Sequence, residues 1–403
     1  MVAQSRCWLS IFLLLTLATL SVSCLHYSEP EQAGVSACAE EQVTVLDPGW
    51  ELSWSAHVED EYVSGPPLLV GEHLIAVGRT SGHRTQPRIR AYQSSSGQEL
   101  WEVSGVGVGA TALQTLTVTP DYIATYVPCS ATVLRIKTGE PVLQLHDVWV
   151  FGLALDDEQL YVHDYFGNIR AYGLPSGQMT WERQLPGANR NGYLFVKEGQ
   201  LVVDLFDELW ILDTDNGQTI GRFPDSEAAS WLIQDTFLLG ESGIGLAYLH
   251  LVSLRTGDVL WRKEYWPVIT YEPPGYANGI LFFPADLGEE GARVVLAVEL
   301  DTGELVWSYQ PEEGVGVISG VAVSNGTGYA VFSDGTLRAI DLEAGEARVI
   351  VKSEALYHWG MDTAEDISVP GIAASDSHLF VSFGCRSIYA LEIPERAAGH
   401  PRQ

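Results

Sequence analysis

The sequence predicts an all-β protein: an eight-bladed β-propeller of four-stranded antiparallel blades, with an N-terminal strand closing the last blade. Three observations carry this. A strand–turn–strand phrase recurs seven times. Its glycines, Gly97, Gly139, Gly177, Gly217, Gly257, Gly303 and Gly345, stand 38 to 46 residues apart, close to the ~40–50-residue period of propeller blades. Two further alternating apolar runs lead into the phrase, as in LTVTPDYIATYVP and GLALDDEQLYVHDY, which makes four strands per unit. The chain also ends on an incomplete unit, whose missing strand reads at the other end of the sequence.

Residues 1–23 read as a secretory signal peptide. Arg6 and the amino terminus supply positive charge, residues 8–20 (WLSIFLLLTLATL) are an apolar run, and Ser21, Val22 and Ser23 are small residues before a cleavable bond. The run is short for a membrane span, and no later stretch approaches spanning length. Cleavage before Cys24 resembles a bacterial lipoprotein signal, which makes Cys24 the lipidation candidate, although Ser21 stands where that pattern usually has Leu. Residues 24–42 are then a tether, 43–395 the propeller and 396–403 a C-terminal tail. A lipid on Cys24 anchors a chain without spanning the bilayer. The expected location is the cell envelope, lipid-anchored and facing the periplasm, with secretion as the alternative.

The phrase reads IRAYQSSSGQELW at 89–101, IRAYGLPSGQMTW at 169–181, LHLVSLRTGDVLW at 249–261 and VLAVELDTGELVW at 295–307, with weaker copies at 133–143, 209–221 and 337–349. Alternating apolar residues before the glycine mark a strand. Ser-Gly, Thr-Gly or Asn-Gly makes the turn, glycine supplying the positive φ. Four residues on come Trp101, Trp181, Trp261 and Trp307. A large ring at one repeated position packs against the neighbouring blade, so these are structural and not ligand contacts. The eighth unit has two strands in DSHLFVSFGCRSIYALEI at 376–393, and PGWELSW at 48–54 supplies its outer strand. Closure removes exposed sheet edges; seven blades is the alternative count.

Strand order sets which loops share a face. The glycine turns join the third strand to the fourth on one face. Second-to-third turns and blade-to-blade connections lie on the other, where the irregular segments gather: 79–88, 284–293, and a connection within 351–366. Long loops on a rigid frame carry binding residues. Tyr357, His358 and Trp359 are therefore partner-binding candidates, as aromatic anchors, together with His83, Arg84 and Arg88, a small basic patch on an acidic protein. Cys129 and Cys385 fall in equivalent turns two blades apart, farther than the ~7 Å Cα–Cα separation a disulfide tolerates, so no bond between them is expected. Cys38 precedes an outer strand at the opposite face. A formal charge of -30, from 52 Asp and Glu against 22 Lys and Arg, repels phosphate backbones and argues against nucleic-acid binding. The sequence holds no G-x-S-x-G, HExxH or CxxC, so no catalytic, metal or cofactor set is expected.

The pattern A-(I/V/Y)-(D/E)-x-x-(T/S)-G-x-x-x-W, clearest in AVELDTGELVW, resembles the repeat of PQQ-binding-like, quinoprotein-type propellers over nearly all of residues 48–393. Two groups share that repeat. The quinone-dependent alcohol and sugar dehydrogenases are larger, often carry adjacent cysteines and hold calcium beneath the cofactor; this chain has no adjacent cysteines and no convincing calcium set. In length, signal with cysteine and number of units the chain is more similar to the BamB family of outer-membrane assembly lipoproteins. That resemblance implies a non-catalytic envelope scaffold whose loops bind a protein partner, a barrel-inserting subunit. The most comparable stretch, residues 183–190, matches the family's contact loop poorly. The alternative is a PQQ-dependent dehydrogenase-like protein, or a relative that binds cofactor or sugar.

Overall fold

Residues that alternate apolar and polar bury one side and wet the other only as strands, and strands are what they form. The structure, a computed structural model, describes residues 42–394 apart from 59–60, 64, 81–87, 105–115, 128, 187–191, 206–207, 225–229, 244–245, 257, 266–267, 270–273, 287–292, 355–369 and 385. Among the described residues there is no helix, and the strands form eight antiparallel sheets. In chain order these span 61–104, 116–146, 150–184, 193–224, 230–265, 268–309, 322–353 and 371–392, and are called sheets 1 to 8. Sheets 1 to 7 run first strand to fourth in sequence order, and sheet 8 takes its fourth strand from the amino-terminal segment. In sheets 1 and 6 the first strand is split: Glu61–Val63 and Leu68–Val70 both pair with His73–Thr80, while Val268–Ile269 and Gly275–Ala277 both pair with Ile280–Asp286.

The amino-terminal segment completes sheet 8, as its sequence predicted. Glu51–His57 pairs antiparallel with Ser387–Glu392, through Leu52↔Leu391 and Ala56↔Ile388. One strand was not foreseen. Val43–Val45 adds to the outer edge of sheet 7, beside Ala347–Ser353. The chain thus runs up sheet 7, turns through Asp47 and Gly49, and comes down sheet 8. Gln42 accepts a hydrogen bond from the N–H of Glu354 at 3.0 Å, so the described chain starts on the face of the blade-to-blade connections. Cys38, expected to precede an outer strand at the opposite face, lies outside the described residues.

The recurring tryptophan joins one sheet to the next at five junctions among the described residues. Trp54, Trp101, Trp181, Trp261 and Trp307 donate their indole N–H to the carbonyls of Ser94, Ile136, Thr214, Leu300 and Leu342, at 2.6 to 3.0 Å. Each acceptor stands three residues before the turn glycine of the following sheet, and the ring lies over that glycine: a Cβ on Gly97, Gly139, Gly217, Gly303 or Gly345 would come within 2.8 Å of it. The glycine therefore serves twice, for its positive φ of 68° to 70° and for its bare face. A small residue commonly opposes the indole across the strands, as in Ala91↔Trp101, Ala171↔Trp181 and Ala297↔Trp307. In sheet 2 Leu143 takes the ring's place against Gly177.

Buried apolar side chains fall into eight groups among the described residues, one at each junction between consecutive sheets. One group closes the circle, joining Phe380, Ile388 and Ala390 of sheet 8 to Leu74, Ala76 and Tyr92 of sheet 1. The order is that of a propeller, and it holds the second-to-third turns and the blade-to-blade connections together on one face.

Candidate docking face

On that face sheet 3 presents a cluster of aromatic rings. The second-to-third turn has the sequence Asp164-Tyr165-Phe166-Gly167-Asn168. Asp164, 1% exposed, organises it: the carboxylate accepts the N–H of Phe166 and of Asn168 at 2.9 Å, the Asn168 side-chain amide, and the Arg170 guanidinium at 2.7 Å. Gly167 completes the turn at φ 81°. Tyr165 also donates its N–H to the Trp149 carbonyl at 2.9 Å, which ties the turn to the connection from sheet 2.

With its carboxylate satisfied by the backbone and by the half-buried Asn168 and Arg170, the turn has no core left for its two rings. Tyr165 and Phe166 remain 48% and 59% exposed. Trp149 stands 5.9 Å from Tyr165, Phe151 5.2 Å from Tyr165, and Phe166 meets Tyr165 edge-on at 5.9 Å. Below them Phe151 meets the buried His163 edge-on. The carbonyl of Phe151 accepts the Tyr126 hydroxyl at 2.8 Å. Burial, helped by the charge of Tyr193, pushes the Tyr126 hydroxyl up to about 12, so it stays a donor across the physiological range. The result is a contiguous apolar surface on a rigid base, in a molecule whose net charge is -30. Exposed aromatics on a fixed frame suit the anchor role at a protein interface, giving large contact area at low entropic cost.

Of the sequence-predicted candidates, Tyr357, His358, Trp359, His83, Arg84 and Cys24 lie outside the described residues. Arg88 opens the third strand of sheet 1, where its guanidinium is 3.4 Å from Glu102 on the fourth strand. The aromatic turn of sheet 3 was missed because its strand was read for topology alone. Two successive rings between Asp and Gly, where turn chemistry asks for neither, were the available signal.

Cys129, in the matching turn of sheet 2, is disulfide-bonded. Cys7, Cys24, Cys38 and Cys385 all lie outside the described residues, and so does the expectation about a Cys129–Cys385 bond. Among the described residues no three His, Cys, Asp or Glu side chains gather as a metal would require.

Comparison with known proteins accords with this architecture. A family model described as outer membrane protein assembly factor BamB matches residues 86–249 and 245–355. The protein of that name from Legionella pneumophila (strain Paris) is 28% identical over 115 residues, which are 28% of this chain and 29% of the relative. The match thus spans less than a third of that relative's length. Among solved structures, BamB from Moraxella catarrhalis superposes with a TM-score of 0.58 at 13% identity, over 85% of this chain and all of that one. A europium-containing methanol dehydrogenase superposes with a TM-score of 0.59 at 11% identity, over 85% of this chain and 93% of its own; at such identities the likeness is one of fold. The repeat, the sheet order and the family match over residues 86–355 agree: the chain belongs to the family described as outer membrane protein assembly factor BamB.

Proposed function

We propose that the chain is a non-catalytic cell-envelope scaffold that holds a protein partner of outer-membrane protein assembly on its connection face, anchored by Trp149, Tyr165 and Phe166. The observation that carries this is the exposed aromatic cluster on a hydrogen-bonded turn. Surface rings that fold no core and are held rigidly are suited to fill a partner's pocket. Tyr357, His358 and Trp359, with His83, Arg84 and Arg88, are proposed as further contacts. Cys24 is proposed as the lipid anchor that keeps the chain at the membrane facing the periplasm. The quinone-dehydrogenase alternative draws on fold likeness alone.

The test places a photo-crosslinking amino acid at Phe166, and at Thr302 on the opposite face as control, in cells making the full chain. Phe166 is expected to cross-link an outer-membrane assembly component and Thr302 is not. The double variant Tyr165→Ser/Phe166→Ser, with an unchanged melting temperature, is expected to lose about tenfold or more of its capture of that component. Undiminished capture would sink the assignment. Cys24→Ser, followed through membrane fractionation alongside, is expected in the soluble fraction.

A further inference from the structure

Among the described residues only sheet 7 carries a strand beyond its fourth, and that strand is very short. Val43↔Ser353, Thr44↔Lys352 and Val45↔Val351 make the whole register. The N–H groups of Leu46 and Asp47 both reach the Ile350 carbonyl, at 2.8 and 3.3 Å. Val43 and Val45 point the same way, as residues two apart on a strand must, and pack half-buried on the apolar group that includes Ile350, Val351 and Trp50. Asp47, two residues further, pairs with the exposed Arg348 at 3.4 Å. Thr44 faces Lys352, which is exposed.

The neighbouring strand gives this cover an apolar footing in Val349, Ile350 and Val351. In Ala347–Ser353 three successive positions from Val349 are half or fully buried, while the fourth strands of sheets 1 and 3 alternate exposed and buried with a single deeply buried residue, the tryptophan. The outer edge of sheet 7 is thus an apolar, hydrogen-bonding slot that reads two small β-branched residues and one carboxylate, all at alternate positions. Its present occupant is held by three residue pairs, the flanking backbone hydrogen bonds of Gln42, Leu46 and Asp47 and the Asp47–Arg348 pair, with no turn joining it to Ala347–Ser353. Its advantage over an outside segment is that it belongs to the same chain.

We propose that the outer edge of sheet 7 is a strand-accepting site for an extended partner segment of the form Val/Ile-x-Val/Ile-x-Asp, which displaces the chain's own Val43–Val45. Recognition of this kind takes affinity from main-chain hydrogen bonds and specificity from alternate side chains. The site is separate from the aromatic cluster, four sheets away around the ring, and stands or falls without it.

The experiment uses the full chain, wild type and with Val43→Asp/Val45→Asp to release the occupant. The probe is a fluorescent peptide of residues 41–48, EQVTVLDP, followed by anisotropy. The released variant is expected to bind the peptide about tenfold or more tighter than the wild type. Arg348→Glu in the released background is expected to weaken binding several-fold. A peptide with cysteine in place of Thr44 is expected to form a mixed disulfide with Lys352→Cys, and one with cysteine in place of Val45 is not. Should the double variant fail to fold by circular dichroism, Thr44→Pro, which blocks pairing and keeps both valines, replaces it. Equal binding by released and wild-type chains, indifference to Arg348→Glu, or no linkage at position 352 would each overturn the proposal. Dimerisation of the wild-type chain without peptide binding would give the edge to a second copy and overturn it too.

Discussion

Gly303 and Gly279 separate two reasons for glycine. Both have positive φ, 68° and 80°, but a Cβ on Gly303 would sit 2.8 Å from the Trp261 ring, while one on Gly279 meets nothing within 4 Å. Gly279→Ala is therefore expected to cost only the left-handed backbone penalty, about 1–2 kcal/mol. Gly303→Ala adds displacement of an indole that is itself hydrogen-bonded to Leu300, for about 2–5 kcal/mol in total; urea unfolding of the two variants measures the difference. A second residue-scale device is the buried Arg338, which donates to Asp334 at 2.9 Å, Glu312 at 2.8 Å and the Tyr309 hydroxyl at 2.7 Å, and lies over Phe332. Burial pushes the Asp334 carboxyl upward, but the Thr336 hydroxyl and N–H and the Arg338 charge outweigh it and hold it below the ordinary aspartate range. The native state thus favours the carboxylate. Its contribution is complete above the ordinary aspartate pKa and is lost as pH falls through the lower native value. Asp334→Asn is expected to lose about 1–3 kcal/mol at neutral pH, and unfolding curves taken at falling pH should show wild type and variant converge in acid. Equal gaps at every pH would disprove this role.

At the scale of the element, the amino-terminal segment works as two strands joined by one buried ring. Trp50, 4% exposed, packs edge-on against Tyr329 of sheet 7 at 5.6 Å and leads directly into Glu51–His57 of sheet 8. It therefore fastens the last junction before the ring closes. Trp50→Ala is expected to cost about 3–5 kcal/mol, with a lower midpoint in guanidinium unfolding; a loss below ~1 kcal/mol would mean that the junction holds without the ring. The strand 51–57 could be read from sequence because PGWELSW copies the second half of the repeated phrase. The strand 43–45 could not. Three residues of alternating Val-Thr-Val carry too little period to separate a strand from a tether, and its pairing is fixed by the shape of sheet 7, some 300 residues away. The aromatic turn of sheet 3 failed for another reason. Its Asp and Gly were recognisable turn chemistry, but whether Tyr165 and Phe166 pack inward or outward depends on Asp164 being buried against Arg170, a long side chain on the next strand.

The whole molecule combines a strongly acidic sequence with arginines that are in part committed to ion pairs along the sheets. Arg90, Arg170, Arg222 and Arg338 all lie in ion pairs with carboxylates along the sheets, which leaves most of the excess of 52 acidic over 22 basic residues on the surface. The fold tolerates this because each sheet packs chiefly on its two neighbours and the charge is spread around a ring. The same charge makes self-association unfavourable and gives an exposed apolar cluster a safe place on the surface, since a second copy meets repulsion before its rings meet. Repulsion among surface carboxylates also acts on the folded state itself, because the compact form brings them closer than the unfolded chain does. Raising salt from about 10 mM to about 150 mM shortens the Debye length from ~30 Å to ~8 Å. This screens long-range repulsion more than the short ion pairs around the buried arginines. The melting temperature is accordingly expected to rise by about 2–4 °C over that range, equally with sodium and potassium chloride. A fall would mean that the arginine pairs, and not the surplus carboxylates, dominate the electrostatics of the ring.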